Sequence, residues 1–258
     1  MFPINNTVTL EGIEIARLTL DGLLDAAVVA ASGKPPGGAV FMYANIHTMN
    51  LARKDRTYHE MLTRADLVYC DGVGVVLGAR VAGLSIPGRL TAADFISDLA
   101  SRFTKEDRSI FVLGGEPGVA EQAVGVLGSM FPGLRVTGTH HGYFDRKGME
   151  NEAVLEMLAR NRPDCLFVGM GSPAQEEWAL FHRDRLGIPL IWCVGATFDF
   201  VAGKVSRAPS WMRKVHLEWF HRFLMEPKRM FYRYAVGNPS FLFRMLGLRL
   251  KRMRGDVS

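Results

Sequence analysis

Leu67-Val68-Tyr69-Cys70-Asp71-Gly72-Val73-Gly74 is a short apolar run that stops on a carboxylate and two glycines. An apolar run of this length, closed by turn residues, reads as a strand buried on both faces. Four further runs, at 39–44, 109–113, 164–168 and 189–194, have the same texture, and 134–137 supplies a sixth. Between them lie segments with helical spacing at 48–64, 92–103, 117–131, 151–160 and 173–186. Strand and helix alternate, which predicts an α/β protein built on a Rossmann-like, doubly wound, mainly parallel sheet. Ahead of it, 7–10 and 13–15 flank Glu11-Gly12 as a small hairpin, and 18–31 follows as a helix.

In doubly wound sheets, ligands sit outside the carboxyl ends of the strands. Here those ends carry Asn45, Asp71-Gly72-Val73-Gly74, Gly114-Gly115, Gly169-Met170-Gly171-Ser172 and Gly195-Ala196-Thr197. Asp71 has two readings, a general base pointing into the crevice or a cap for the helix starting near Val73, and pattern alone does not separate them. Gly114-Gly115-Glu116-Pro117-Gly118 closes a strand and opens a helix, so its N–H groups suit a phosphate, although tight-turn geometry also accounts for its glycines. The same pair of readings applies to Gly171-Ser172-Pro173-Ala174-Gln175-Glu176, where Gln175 falls in the first helical turn. Arg89, five residues before Asp94, can neutralise a diphosphate or pair with that aspartate.

The chain has 258 residues, 48% of them hydrophobic, enough for one large α/β domain. No run approaches the ~18 apolar residues of a membrane span, and the start lacks a secretory pattern, which predicts a cytoplasmic protein. Cys70, Cys165 and Cys193 lie in or at the end of apolar runs without C-x-x-C spacing and read as reduced core thiols. The seven histidines show no H-x-x-x-H spacing and no Asp-x-Asp occurs, so neither a metal site nor a cofactor is predicted.

Residues 207–258 hold twelve basic residues against three acidic ones, a net of +9, which leaves −4 for residues 1–206 of a chain whose total is +5. This segregation predicts a main domain at 1–206 and a basic, helical, membrane-associating appendage at 207–258. Pro227 should open one helix there and Asn238-Pro239 cap another, and Arg229 and Arg233, four apart, share a face. Phe241, Leu242, Met245 and Leu248 are expected at the bilayer surface, with Arg244, Arg249, Lys251, Arg252 and Arg254 on anionic headgroups, the alternative being that these apolar residues pack onto the core or a partner subunit.

Tyr43-Ala44-Asn45, Ala65-Asp66-Leu67 through Gly74, Arg89-Leu90-Thr91-Ala92-Ala93-Asp94, Gly171 through Glu176, and Arg207-Ala208-Pro209 followed by Glu218-Trp219 and Arg222 together resemble the WecG/TagA/CpsF glycosyltransferases. The resemblance implies an inverting, metal-independent enzyme that moves a sugar from a UDP-sugar donor to an undecaprenyl-diphosphate-linked saccharide. It implies an appendage that covers the active site and touches the inner face of the plasma membrane. It implies Asp71 as the base, Arg89 and Gln175 as substrate-binding positions, and Arg222, Arg229 and Arg233 as appendage arginines that meet the diphosphate. Beside these, Asn45, Asp94 and Glu176 are taken as further substrate-binding candidates, Asp94 with the alternatives of pairing with Arg89 or capping a helix, and Gly72, Gly74, Gly114, Gly115 and Gly171 as candidates around the donor phosphates. Tyr43 departs from the family, whose members often carry threonine there. The Tyr43-Ala44-Asn45-Ile46-His47-Thr48-Met49-Asn50 stretch is closer to exopolysaccharide enzymes of the xanthan type, which implies exopolysaccharide synthesis with glucose as donor sugar. No nucleic-acid partner is implied, and a homo-oligomer is left open.

Two rival classes remain. A nucleotide-binding oxidoreductase needs a complete G-x-G-x-x-G fingerprint and an acidic residue about twenty positions on. A non-enzymatic membrane or nucleic-acid binder accounts for the basic end and leaves Asp71 and the glycine turns unexplained.

Overall fold

The apolar runs become strands whose alternate side chains feed two hydrophobic layers, in a computed structural model that describes residues 6–33, 38–209, 211–212, 218–225, 227 and 231–255. Among these residues eight strands form one sheet, in the order β1 (Thr7–Leu10), β2 (Ile13–Ala16), β4 (Leu67–Cys70), β3 (Ala39–Ala44), β8 (Leu190–Cys193), β7 (Cys165–Gly169), β5 (Ser109–Gly114) and β6 (Arg135–His140). The β1–β2 hairpin is antiparallel and every other pairing is parallel. In β3, Val40, Met42 and Ala44 face one layer while Phe41 and Tyr43 face the other, which is why the strands read as continuous apolar runs.

Helices α2 (Ile46–Lys54), α3 (Arg56–Thr63), α4 (Val73–Val81), α7 (Met149–Asn161) and α8 (Ala174–Leu186) cover the first layer. The second is covered by α1 (Leu20–Ser32), α5 (Ala92–Lys105), α6 (Val119–Met130) and α9 (Thr197–Val201). From β4 the chain crosses to β5 on the far side and returns through β7 and β8 to β3. Strand order therefore reverses beside β3, and the crevice opens at the carboxyl ends of β4, β3, β8 and β7.

The single helix read at 48–64 is two helices. Asp55 interrupts it: its N–H bonds the Leu51 carbonyl at the end of α2, and its carboxylate accepts from the N–H groups of Thr57 and Tyr58 at the start of α3. Such a cap is worth ~1 kcal/mol and turns the chain, so that Tyr58 is fully buried.

The C-terminal helix Asn238–Met253 belongs to the core layer of α2 and α4. Phe241 and Met245 are 0% exposed, and Leu242 and Leu248 pack against the same cluster. The sequence reading puts these four at the bilayer; burial against protein, at roughly 1.5–3 kcal/mol per large apolar side chain, places them inside instead. Arg244, assigned above to headgroups, grips Glu11 through Nε at 2.7 Å and Nη2 at 3.3 Å, and donates to Asn50 Oδ1 at 2.7 Å. Asn238 is no cap either. It has helical angles (φ −69, ψ −49) and continues a path that begins as a π-helical turn, Tyr232–Gly237. Pro239 brings no N–H to the helix ladder, and Asn50 Nδ2 bonds the Gly237 carbonyl at the break. Of residues 226–230 only Pro227 is described, so the helix start read there lies outside the described residues.

The three cysteines are buried and free, and burial pushes the Cys70 thiol up to about 12. Gly78 of α4 admits the C-terminal helix, because a Cβ there would lie 2.4 Å from the Phe241 ring, whereas Gly247 has open space around it. Gly78→Val is expected to destabilise by ~1–3 kcal/mol through overpacking, outweighing the few tenths gained in helix propensity. Gly247→Ala should instead stabilise by up to ~1 kcal/mol. Thermal melts of the two variants should move in opposite directions.

Candidate active site

Asp71 follows β4 directly, with its N–H on the Ala44 carbonyl at 2.9 Å. Asn45 Nδ2 donates to its Oδ2 at 3.1 Å and Thr91 Oγ1 to its Oδ1 at 2.8 Å. Asp71 does not cap α4: the N-cap is Gly72, at φ 89 with no side-chain cap bond, and a Cβ at Gly72 would meet nothing. The carboxylate is therefore oriented from two neighbouring elements and stands beside a helix N-terminus that no side chain caps. Asn45 is itself fixed, because its Oδ1 accepts the Thr48 N–H while Thr48 Oγ1 accepts the Asn45 N–H, a closed capping box at the start of α2.

Arg89 donates to Thr91 Oγ1 at 3.2 Å and pairs with Asp94 Oδ2 at 3.1 Å, so it sits one hydroxyl away from Asp71. Asp94 also receives Arg207 at 2.6 Å, and Arg207 bonds the Ala93 carbonyl at 2.9 Å. The structure thus gathers Asn45, Asp71, Arg89 and Asp94, and adds Thr91 and Arg207, which sequence reasoning does not single out as site residues. Their signal was membership in the two motifs around Arg89 and Arg207.

A second group lies across β3. The Tyr43 hydroxyl is 3.4 Å from Ser172 Oγ and accepts from Gln175 Nε2 at 3.3 Å. Gln175 is 0% exposed; its Nε2 also donates to Glu176 Oε1 at 2.8 Å, and its Oε1 accepts the Gly195 N–H at 3.0 Å. Its amide is thus engaged with protein on every side. Ser172 Oγ donates to Glu176 Oε1 at 2.7 Å. Burial drives the Glu176 carboxyl above the usual range and does the same to the Tyr43 hydroxyl, next to which Glu176 and Asp71 also act.

The glycine positions divide by their surroundings. A Cβ at Gly114 would lie 2.6 Å from the Gly169 carbonyl oxygen and one at Gly74 2.3 Å from Ile46, so both permit close packing. Gly115 adjoins Val119 in the turn into α6, while Gly171, like Gly72, borders open space. Beyond Gly115, Lys204 pairs with Glu116, and burial raises the carboxyl of half-buried Asp199 in α9. Among the described residues no group of three or more His, Cys, Asp and Glu is arranged to hold a metal ion. Arg222 lies in the helix Glu218–Met225 and Arg233 in the π-helical turn, but their side chains, and all of Arg229, fall outside what is described.

A carboxylate held at a strand end, beside arginines and a reversal of strand order, stands where ligands bind in doubly wound sheets. The model of the Glycosyl transferase WecG/TagA/CpsF family matches residues 8–255, and the chain belongs to that family. It is similar to the N-acetylglucosaminyldiphosphoundecaprenol N-acetyl-beta-D-mannosaminyltransferase of Bacillus subtilis (strain 168), at 31% identity over 192 residues, 74% of this chain and 73% of that one. Proteins of the same name from Staphylococcus aureus strains MW2 and NCTC 8325 / PS 47 are 27% identical over 223 residues, 86% of each chain.

Asn45 has two separable duties. Asn45→Ser keeps a capping oxygen for α2 and loses the bond to Asp71, so the melt should hold within ~0.5 kcal/mol while transfer falls ~10-fold. Asn45→Ala should lose both, adding ~1 kcal/mol of destabilisation, and melts run beside a transfer assay check the pair.

Proposed function

We propose that this glycosyltransferase moves a hexose from a UDP-sugar to a saccharide carried on undecaprenyl diphosphate, with inversion and without a metal ion. The observation that carries the reading is Asp71, held by Asn45 and Thr91 at the crevice with Arg89 and Arg207 beside it. An acceptor hydroxyl loses its proton to the Asp71 carboxylate as its oxygen attacks the anomeric carbon, and UDP leaves from the opposite face. The charge growing on the departing diphosphate is met by the arginines and the α4 N-terminus. The acceptor class is supported by the relatives, whose name is that of transferases acting on N-acetylglucosaminyldiphosphoundecaprenol. A role in exopolysaccharide or another cell-surface polymer is supported by the Tyr43 to Asn50 stretch, which makes UDP-glucose the first donor to test and UDP-N-acetylmannosamine the second. The test is a donor screen on lipid-diphosphate acceptors with and without EDTA. Asp71→Asn should keep its fold and donor binding and lose ~10²–10⁴-fold in transfer. Full turnover by that variant, or activity abolished by EDTA and restored by magnesium, would overturn the mechanism.

The protein is further proposed to work as a peripheral protein on the inner face of the plasma membrane. No helix among the described residues is long and apolar enough to cross a bilayer. On the C-terminal helix, Phe243, Leu246, Leu250 and Met253 are exposed, opposite buried Phe241 and Met245. Exposed Arg249, Lys251 and Arg254 stand near that stripe. Apolar contact combined with ~1 kcal/mol per basic residue suffices for reversible attachment to anionic lipid. Replacing Phe243 and Leu250 together by Ser is expected to weaken sedimentation with anionic liposomes by at least ~10-fold and leave the melt unchanged, since neither side chain is buried. Undiminished liposome binding would remove this face from consideration.

A further inference from the structure

Helix α8 buries a carboxyl group that the transfer scheme does not use. Glu176 is 0% exposed. The groups facing it are Ser172 and Gln175 from its own turn and helix, Tyr43 from β3, Tyr58 from α3 and Cys193 from β8. None is cationic, and no salt bridge among the described residues reaches it. Its Oε1 accepts two hydrogen bonds, from Ser172 Oγ and Gln175 Nε2. Its Oε2 has no partner of normal geometry, and neither has the buried hydroxyl of Tyr58, which lies beside it. An ionised carboxylate in such a place lacks both water and a counter-ion and takes up a proton instead. The Tyr58 hydroxyl beside Oε2 serves either form, as donor to a carboxylate or acceptor from an acid, so burial away from water, with no cation among the described residues facing it, is what favours the proton.

We propose that Glu176 is a positioning residue: a carboxylic acid that keeps its proton and fixes Ser172 and Gln175 at the crevice wall without adding a second negative charge near Asp71. Through Gln175 the acid reaches the Gly195 N–H after β8 and the Tyr43 hydroxyl at the end of β3, so three strand ends are registered by one neutral network. The benefit to an anionic donor rests on the transferase reading; the protonation state does not. A diphosphate entering this crevice meets the charge of Asp71 and not that of Glu176.

The test compares Glu176→Gln and Glu176→Ala with the parent. Gln copies the neutral acid, with its carbonyl in place of Oε1 and its NH₂ toward Tyr58, so transfer should stay within about threefold, whereas Ala strands Ser172 and Gln175 and should lose ~10-fold or more. Melts over a pH series supply a readout that needs no substrate. Above the ordinary glutamate range the unfolded chain has released this proton while the folded chain retains it, so the parent loses stability as pH rises until Glu176 ionises in place. Glu176→Gln lacks that slope, and its melting temperature relative to the parent should climb with pH. Should the Gln variant not fold, infrared spectra of parent protein with ¹³C-labelled glutamate should show a carboxylic-acid carbonyl band at neutral pH, Asp199 being silent under that label. Gln as inactive as Ala, a melting difference that is flat or shrinks with pH, or a missing acid band each overturns the proposal. If no donor and acceptor support transfer, the transferase reading fails alone, and the melts and spectra still decide the protonation.

Discussion

Seven strands point the same way, and that constraint decides where polar chemistry can go. A parallel sheet covered on both faces fills its length with large apolar and aromatic side chains, so the polar residues of a ligand site belong to the turns at its strand ends. The reversal beside β3 selects among those ends. On one side of it Asn45 is bonded to Asp71, on the other Gly195 is bonded to Gln175, and the Tyr43 hydroxyl at the end of β3 reaches Ser172 and Gln175 across it.

The strands were legible because burial on both faces leaves a mark within a few consecutive residues. Features that depend on a distant partner left no such mark. Asp55 was missed although its partners are local, because it looks like any charge on a helix until its bonds to the Thr57 and Tyr58 N–H groups are seen. Arg244 looks like one more base in a cationic tail, and its partner Glu11 is 233 residues away. Phe241 and Met245 have the spacing of a lipid-facing stripe as much as of a core stripe, and Gly78, which admits them, is unremarkable in its own helix. Asp71 was legible as a strand-end carboxylate by position; that it is held by its neighbours and is not a cap depended on Thr91 and on Gly72 occupying the cap.

Tyr43 shows how one side chain joins what the topology merely places together. Its backbone belongs to β3, its ring lies 6.2 Å from Tyr69 at a tilt of 57°, and its hydroxyl reaches the Ser172 and Gln175 group. A shorter side chain here would leave the Gln175 amide short of a partner and open a gap between the half of the crevice that holds Asp71 and the half that holds Gly171.

Helix α4 begins immediately after the turn that carries Asp71, and Gly78, its contact with the C-terminal helix, lies five residues past Val73, about 8 Å of helical rise. A rigid rod of that length works as a ruler. The spacing between the Asp71 carboxylate and the outer face of the C-terminal helix is therefore set by α4 and not by a flexible tether. Under the proposed function, with that face on the membrane and Asp71 as the base, a lipid-anchored acceptor would have to present its terminal sugar at that height, and the number of sugars between lipid and reacting hydroxyl would become a geometric property of the enzyme.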